Sequence, residues 1–241
     1  MRIAEQVTFG GSGLDRAADL RADPGQMARL AHAPETRILP LWKGKPLVRP
    51  AADGMLTLAT VAPGHAALSH AEVPPVLIGR SDGGIWFTQD ISPWEPEGQE
   101  TAALGTFLDP TEQVYPGMDD GMRFAELRAI MTMLSPRDAE IAATARAVLM
   151  WHSSHLFCAR CGAASEQAEG GWQRKCPACN ASHFPRTDPV VIMLITRGNE
   201  VLLGRSPGWP EGMYSLLAGV HRAGRDHRSG GAPRGHGGIR G

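Results

Sequence analysis

Short apolar runs punctuated by turn residues mark the first part of the chain. "TRILPLW" and "PLV" flank Lys43 and Gly44, and "PVLIGR" and "IWFTQDI" flank Asp82 and Gly83. Each pair predicts a β-hairpin, because turns of this kind need residues that tolerate positive φ. "MLTLATVAPGHAAL" predicts one further strand between them. Ahead of the hairpins, "LDRAADLR" and "DPGQMARLAHA" read as short helices, the second capped by Asp23 with Pro24 at its first position. Residues 92–120, rich in Pro, Gly and acids, read as loop.

Helical spacing then returns twice. Phe124, Leu127, Met131 and Leu134 define one stripe, and Ile141, Ala145, Val148 and His152 define another. The second helix opens with a capping-box pattern, Ser135 to Asp138 with Pro136 between them. From Pro189 the pattern changes to alternating or continuous apolar residues. "VVIMLITRGNEVLLGR" reads as two strands about a Gly198-Asn199 turn, and "MYSLLAG" as a third.

These elements predict an α+β, multi-domain protein. With 241 residues, of which 42% are hydrophobic, the chain can fill one large core or two small ones. Its formal net charge is −1 and its pI about 6.8, so no global positive field recruits nucleic acid or an anionic membrane. No segment has the pattern of a signal peptide or the length of a membrane span. A soluble, cytoplasmic protein is expected.

Cysteine usage sharpens the picture. Cys158, Cys161, Cys176 and Cys179 form two C-x2-C pairs separated by Gly162 to Lys175. In a reducing compartment such a quartet points to metal rather than to disulfides. Each pair can fold into a knuckle that aims two thiolates at one point, and four thiolates make a closed tetrahedral zinc site whose role is structural. His152, His155 and His183 are alternative ligands by position, but the thiolates already fill the shell, so surface or packing roles are preferred. Trp172, between the pairs, is expected in the core of this small domain.

The run "WHSSHLFCARCG", "CPACNASHFPRTDPVVIMLI", "EVLLGR" and "MYSLLAG" closely resembles the NADH pyrophosphatase branch of the Nudix hydrolases. The resemblance covers roughly residues 10 to 219 and implies an amino-terminal domain (1–125), connecting helices (126–154), a four-cysteine zinc ribbon (155–187) and the first strands of a truncated Nudix α/β/α sandwich (188–241). It also implies cleavage of NAD(H) to AMP and nicotinamide mononucleotide, catalytic magnesium or manganese, a homodimer and, by family analogy, capped RNA as a further substrate. Phe184 would stack near the substrate, and the backbone carbonyl of Ala218 would contact the metal.

The chemistry of this family lies in the Nudix box, G-x5-E-x7-R-E-U-x-E-E-x-G-U, whose glutamates gather divalent cations on one helix face. Laid on this chain from Gly219, the pattern puts Arg225 at the first glutamate, Pro233 and Arg234 at the Arg-Glu pair, and Gly237 and Gly238 at the paired glutamates. No required carboxylate is present. Reading the codons of Val220 to Arg240 from their second base permits F-I-E-P-G-E-T-I-E-A-A-V-R-R-E-V-M-E-E-S-G, which satisfies the box. A one-base change of reading frame near codon 220 is therefore expected, leaving an inactive chain with an aberrant Gly/Arg/His tail. The competing reading of that tail is a disordered, Arg-rich segment that binds RNA or polyphosphate.

The alternative function is a non-catalytic zinc-ribbon module for dimerisation or nucleic-acid binding. Such a module has no use for uncovered strands at 189–205 and 213–219, whose presence favours a damaged enzyme. Lys43, Lys45 and Arg49 could contact an anion, although a solvated hairpin face is the preferred reading. Asp119, Asp120, Glu97 and Glu100 read as loop charges.

Overall fold

A computed structural model describes residues 9, 13–81, 84–97, 109–119 and 121–220. The chain divides into two compact units, Met1–Pro185 and Arg186–Gly241.

The first unit is built on a six-stranded mixed sheet in the order β3-β2-β1-β5-β4, with β6 added to β2. β1 (Arg37–Trp42) turns through Lys43 and Gly44 into β2 (Lys45–Pro50), as the turn chemistry predicts. β3 (Leu56–Leu58) extends that hairpin, and β4 (Val76–Ser81) pairs antiparallel with β5 (Gly84–Asp90). The turn expected at Asp82 and Gly83 lies outside the described residues, as do Glu100 and Asp120. β1 and β5 run parallel, with Leu41 opposite Asp90.

Side chains of Leu39, Leu41, Trp42, Leu47, Leu77, Ile78 and Phe87 are almost wholly buried. Burying a side chain of this size contributes about 1.5–3 kcal/mol, so this layer dominates the stability of the unit. β4 carries a bulge between Leu77 and Gly79. A Cβ on Gly79 would stand 2.3 Å from the Asp15 carbonyl, so only glycine lets the amino-terminal segment pair with Arg80 here.

Three helical expectations need correction. "LDRAADLR" yields one short 3-10 turn, Ala18–Leu20, instead of a helix. The stripe that begins at Phe124 is broken: Phe124 belongs to β6 (Arg123–Phe124), which pairs with Leu47 and Val48 of β2, and α2 is confined to Leu127–Ile130. An open strand edge satisfies the backbone of Arg123 and Phe124 better than a further helical turn would. Ser135 does cap α3 (Pro136–Ser154), accepting from the Asp138 backbone N–H at 3.1 Å. Asp138, however, does not close the box. Its carboxylate accepts from Thr57 Oγ1 at 2.8 Å and from the Leu58 N–H at 3.1 Å, locking the helix start to β3.

α1 (Pro24–Ala31) begins as expected, with Asp23 accepting from the N–H groups of Gly25 and Gln26. Along α3, Ile141, Ala145, Val148 and His152 are all buried, joined by Ala139, Ala142, Leu149 and Trp151. The helix is enclosed on more than one face and runs directly into the ribbon.

Lys45 departs from both readings offered for it. Its side chain is 1% exposed, and its ammonium donates to Asp109 at 2.8 Å and to the carbonyl and hydroxyl of Thr111 at 2.6 Å each. The apolar pattern of β2 gives no sign of this, because Asp109 lies far along the chain. Arg49 and Lys43 remain exposed.

The second unit holds β10 (Val190–Met193) paired antiparallel with β13 (Leu217–Val220), and a small hairpin of β11 (Thr196–Arg197) and β12 (Glu200–Val201) about Gly198-Asn199. Val190, Ile192, Leu194, Tyr214 and Val220 are exposed among its described residues. The remaining expectations for 221–241 lie outside the described residues. Among the described residues, no helix is long and apolar enough to cross a membrane.

Candidate metal centre

Two knuckles of the same design carry the cysteines. In the first, the Cys158 N–H donates to Ala163 O at 2.7 Å and the Gly162 N–H to Cys158 O at 2.9 Å. In the second, the Cys176 N–H donates to Ala181 O and the Asn180 N–H to Cys176 O, both at 2.9 Å. The fourth residue after each leading cysteine takes positive φ, 78° at Gly162 and 58° at Asn180. Glycine does so freely and Asn better than most residues. Asn180 stands at the same spacing from Cys176 as Gly162 from Cys158, the signal in the sequence that could have marked it.

The first knuckle leads into β7 (Glu166–Ala168) and the second joins β8 (Gln173–Lys175) to β9 (Ser182–His183), the three strands of one sheet. The four Sγ atoms all lie within 4.8 Å of one another. Cys158 and Cys179 are 3.6 Å apart, and Cys161 and Cys176 are 3.5 Å apart. A zinc-sulfur bond of about 2.3 Å puts the corners of a tetrahedron about 3.8 Å apart. The donor set fits zinc in number, chemistry and span, and it leaves no corner for water.

Electrostatics inside the cluster point the same way. Burial raises the Cys158 thiol, but the hydrogen bond from His183 and the N–H groups of Arg160 and Cys161 outweigh it and bring the pKa to about 6. At Cys161 the Ala163 N–H lowers the pKa, but the neighbouring sulfurs prevail and push it up to about 12. Adjacent thiolates repel, so the thiols resist ionising together unless a cation neutralises them.

The three histidines separate. His183 Nε2 lies 3.2 Å from Cys158 Sγ, where it donates to the thiolate. It is a supporting partner of a metal ligand rather than the surface or packing residue expected. His155 touches the Trp151 carbonyl and Ser154. His152 is buried and packs between α3 and the ribbon, in line with a packing role. Its Nε2 donates to Gly171 O at 2.8 Å, and its Nδ1 accepts from Arg174 Nη1 at 3.1 Å.

Trp172 likewise serves the seam rather than the ribbon interior. Its Nε1 donates to Leu77 O of β4 at 2.6 Å, and the Arg21 guanidinium stacks 4.4 Å from its ring. Gln167 donates to Pro74 O at 3.2 Å. Together these contacts fasten the metal-binding segment to the mixed sheet. Phe184, expected near substrate, is 64% exposed just after β9. Ala218 lies in β13 opposite Ile192.

Comparison with known proteins gives a consistent assignment. A family model described as an NADH pyrophosphatase-like rudimentary NUDIX domain matches residues 35–151, and one described as an NADH pyrophosphatase zinc ribbon domain matches residues 153–184. The chain is 43% identical over 148 residues to the Homo sapiens protein named NAD(P)H pyrophosphatase NUDT13, mitochondrial, covering 60% of this chain and 39% of that protein. It is 32% identical over 220 residues to the Mycobacterium tuberculosis (strain ATCC 25618 / H37Rv) protein named NAD-capped RNA hydrolase NudC, covering 88% of this chain and 60% of that protein. The Stutzerimonas stutzeri (strain A1501) protein of the same name is 40% identical over 99 residues, 41% of this chain and 36% of that protein. The chain spans less than two thirds of the length of each.

Proposed function

Because the chain belongs, through both matched domains, to the NADH pyrophosphatase branch of the Nudix hydrolases, we propose that its lineage function is metal-dependent hydrolysis of NAD(H) to AMP and nicotinamide mononucleotide. The observation that carries this reading is the order of its parts: a rudimentary domain, a four-thiolate ribbon, and then the strand that ends in "LAG". NAD-capped RNA presents the same pyrophosphate beside nicotinamide mononucleotide, and the names of the bacterial relatives support it as a further substrate. A homodimer in the cytoplasm completes the proposal, with Phe184 and the Ala218 carbonyl at the substrate and metal positions implied by the family pattern.

The catalytic magnesium or manganese does not fit the residues in hand. Arg225, Arg234, Gly237 and Gly238 stand where carboxylates are required, Pro233 stands where the box has its arginine, and all five lie outside the described residues. Among the described residues the four cysteines are the one group of three or more His, Cys, Asp or Glu able to hold an ion. No hydrolytic step is assigned to these residues. The chain as written is therefore proposed to be inactive, through a one-base frame change near codon 220.

Resequencing the gene across codon 220, with an assay of AMP release from NADH in magnesium or manganese, tests both statements. We expect a base lost or gained, no release from the chain as written, and release from protein made in the shifted frame. AMP release that co-purifies with the chain as written would overturn the inactivity. An intact present frame would leave a zinc-bearing remnant with a non-catalytic role.

A further inference from the structure

A cavity of about 500 Å³ opens where the two parallel strands of the first unit end. Leu41 of β1 and Asp90 of β5 are register partners, and both line it. Ligands of open α/β sheets bind beyond the carboxyl ends of parallel strands, where the departing loops leave a crevice. The volume falls within the range of small-molecule sites.

The polar groups of this cavity are unevenly committed. Asp90 accepts from the Ser92 N–H at 2.9 Å and from its hydroxyl. Asp109 is neutralised by Lys45 at 2.8 Å, and Glu126 pairs with Arg146 at 2.8 Å. Lys43, Arg128 and Arg146 supply positive charge to the same cavity. The Lys43 ammonium has no carboxylate within ion-pair reach among the described residues; it sits 5.0 Å from the Trp42 ring centroid.

The backbone at Lys43 adds an independent pointer. Its φ is 49°, a state that favours Gly, Asn or Asp in such a turn. Its N–H donates to Ser92 Oγ at 2.7 Å, tying the β1–β2 turn to the exit of β5. A Cβ on Gly44 would stand in ordinary contact with Arg146 Nε at 3.5 Å, which puts that guanidinium beside the turn. A lysine held in an uncommon backbone state at the mouth of a cavity is the kind of cost that binding sites retain.

We propose that this cavity binds a phosphorylated small molecule of mononucleotide size. The phosphate meets Lys43, Arg128 and Arg146, and the guanidinium fork suits phosphate oxygens. The apolar wall of Leu41 and Leu149 meets the base. The site goes beyond the family reading, since it lies in the rudimentary domain, and it stands whether or not residues 219–241 support hydrolysis.

Calorimetric titration of the full zinc-loaded chain with AMP, adenosine and inorganic phosphate tests it. AMP should bind saturably, and adenosine at least about tenfold more weakly, as loss of charge-assisted bonds requires. Lys43→Gly and Arg128→Gln should each weaken AMP about tenfold or more. Lys43→Gly should also raise the melting temperature, because glycine relieves the positive φ. That combination separates a binding role from a structural one. Absence of AMP binding, equal affinity for adenosine, or affinity unchanged in both variants would overturn the proposal.

Discussion

Arg174 donates to Nδ1 of His152 at 3.1 Å, and this bond fixes the imidazole as the neutral Nε2–H tautomer that donates to Gly171. Both side chains are buried. A proton on Nδ1 would point at a guanidinium.

Stability should consequently depend on pH through this ring. Burial lowers the His152 pKa below 6.5, the Gly171 carbonyl opposes this, and the Arg174 charge lowers it further. The folded state then binds fewer protons than the unfolded chain. The contribution is fully present above pH 6.5 and is lost as pH falls toward the depressed value. Urea unfolding at a series of pH values should show the wild-type midpoint falling below that pH more steeply than the midpoint of His152→Gln. Parallel profiles would refute the assignment.

Zinc removal should be more drastic. One zinc per chain is expected by elemental analysis, and Cys176→Ser should abolish it, with loss of the ribbon fold on the scale of about 10 kcal/mol typical of structural zinc. His183→Ala should leave the four thiolates in place yet reduce zinc affinity by about ten- to a hundredfold in chelator competition. An unaltered affinity would make His183 a bystander.

Gly171 is the tightest point of the seam. A Cβ there would meet both methyl carbons of Val76 at 2.7 Å, and its φ is 93°. Gly171→Ala should cost about 1–3 kcal/mol by overpacking. Pairing it with Val76→Ala should recover part of that loss in thermal unfolding. No recovery would assign the cost to backbone strain alone.

The buried pair of Lys45 and Asp109 allows a different test. Lys45→Ala leaves a buried carboxylate without its cation and should cost about 3–5 kcal/mol. A Lys45→Met, Asp109→Leu double variant should be far closer to wild type. If the single and double variants unfold alike, the pair is not the reason for the loss.

Local chemistry made much of this legible. Asp23, Pro24 and Ser135 mark helix starts because capping depends on residues a turn apart. Lys43 and Gly44 mark a hairpin, and the two C-x2-C pairs mark a metal site. Long-range satisfaction was not legible. Asp138 serves β3, Phe124 serves an open strand edge, Lys45 finds Asp109, and His183 reaches Cys158. Each partner is chosen by the three-dimensional neighbourhood, which periodicity along the chain does not encode. Trp172 was placed in the right segment but facing the wrong core.

The seam between ribbon and sheet is chemically lopsided. Gln167 and Trp172 address the carbonyls of Pro74 and Leu77, while His152 addresses that of Gly171 and is itself held by Arg174 of the ribbon. Carbonyl oxygens are present whatever side chain stands at a position. Over evolutionary time, residues 74 and 77 can therefore drift with little penalty to docking, whereas the donors at 152, 167, 172 and 174 cannot. Divergent relatives should keep the donors and vary the acceptors, so that the joint is inherited through half of its parts.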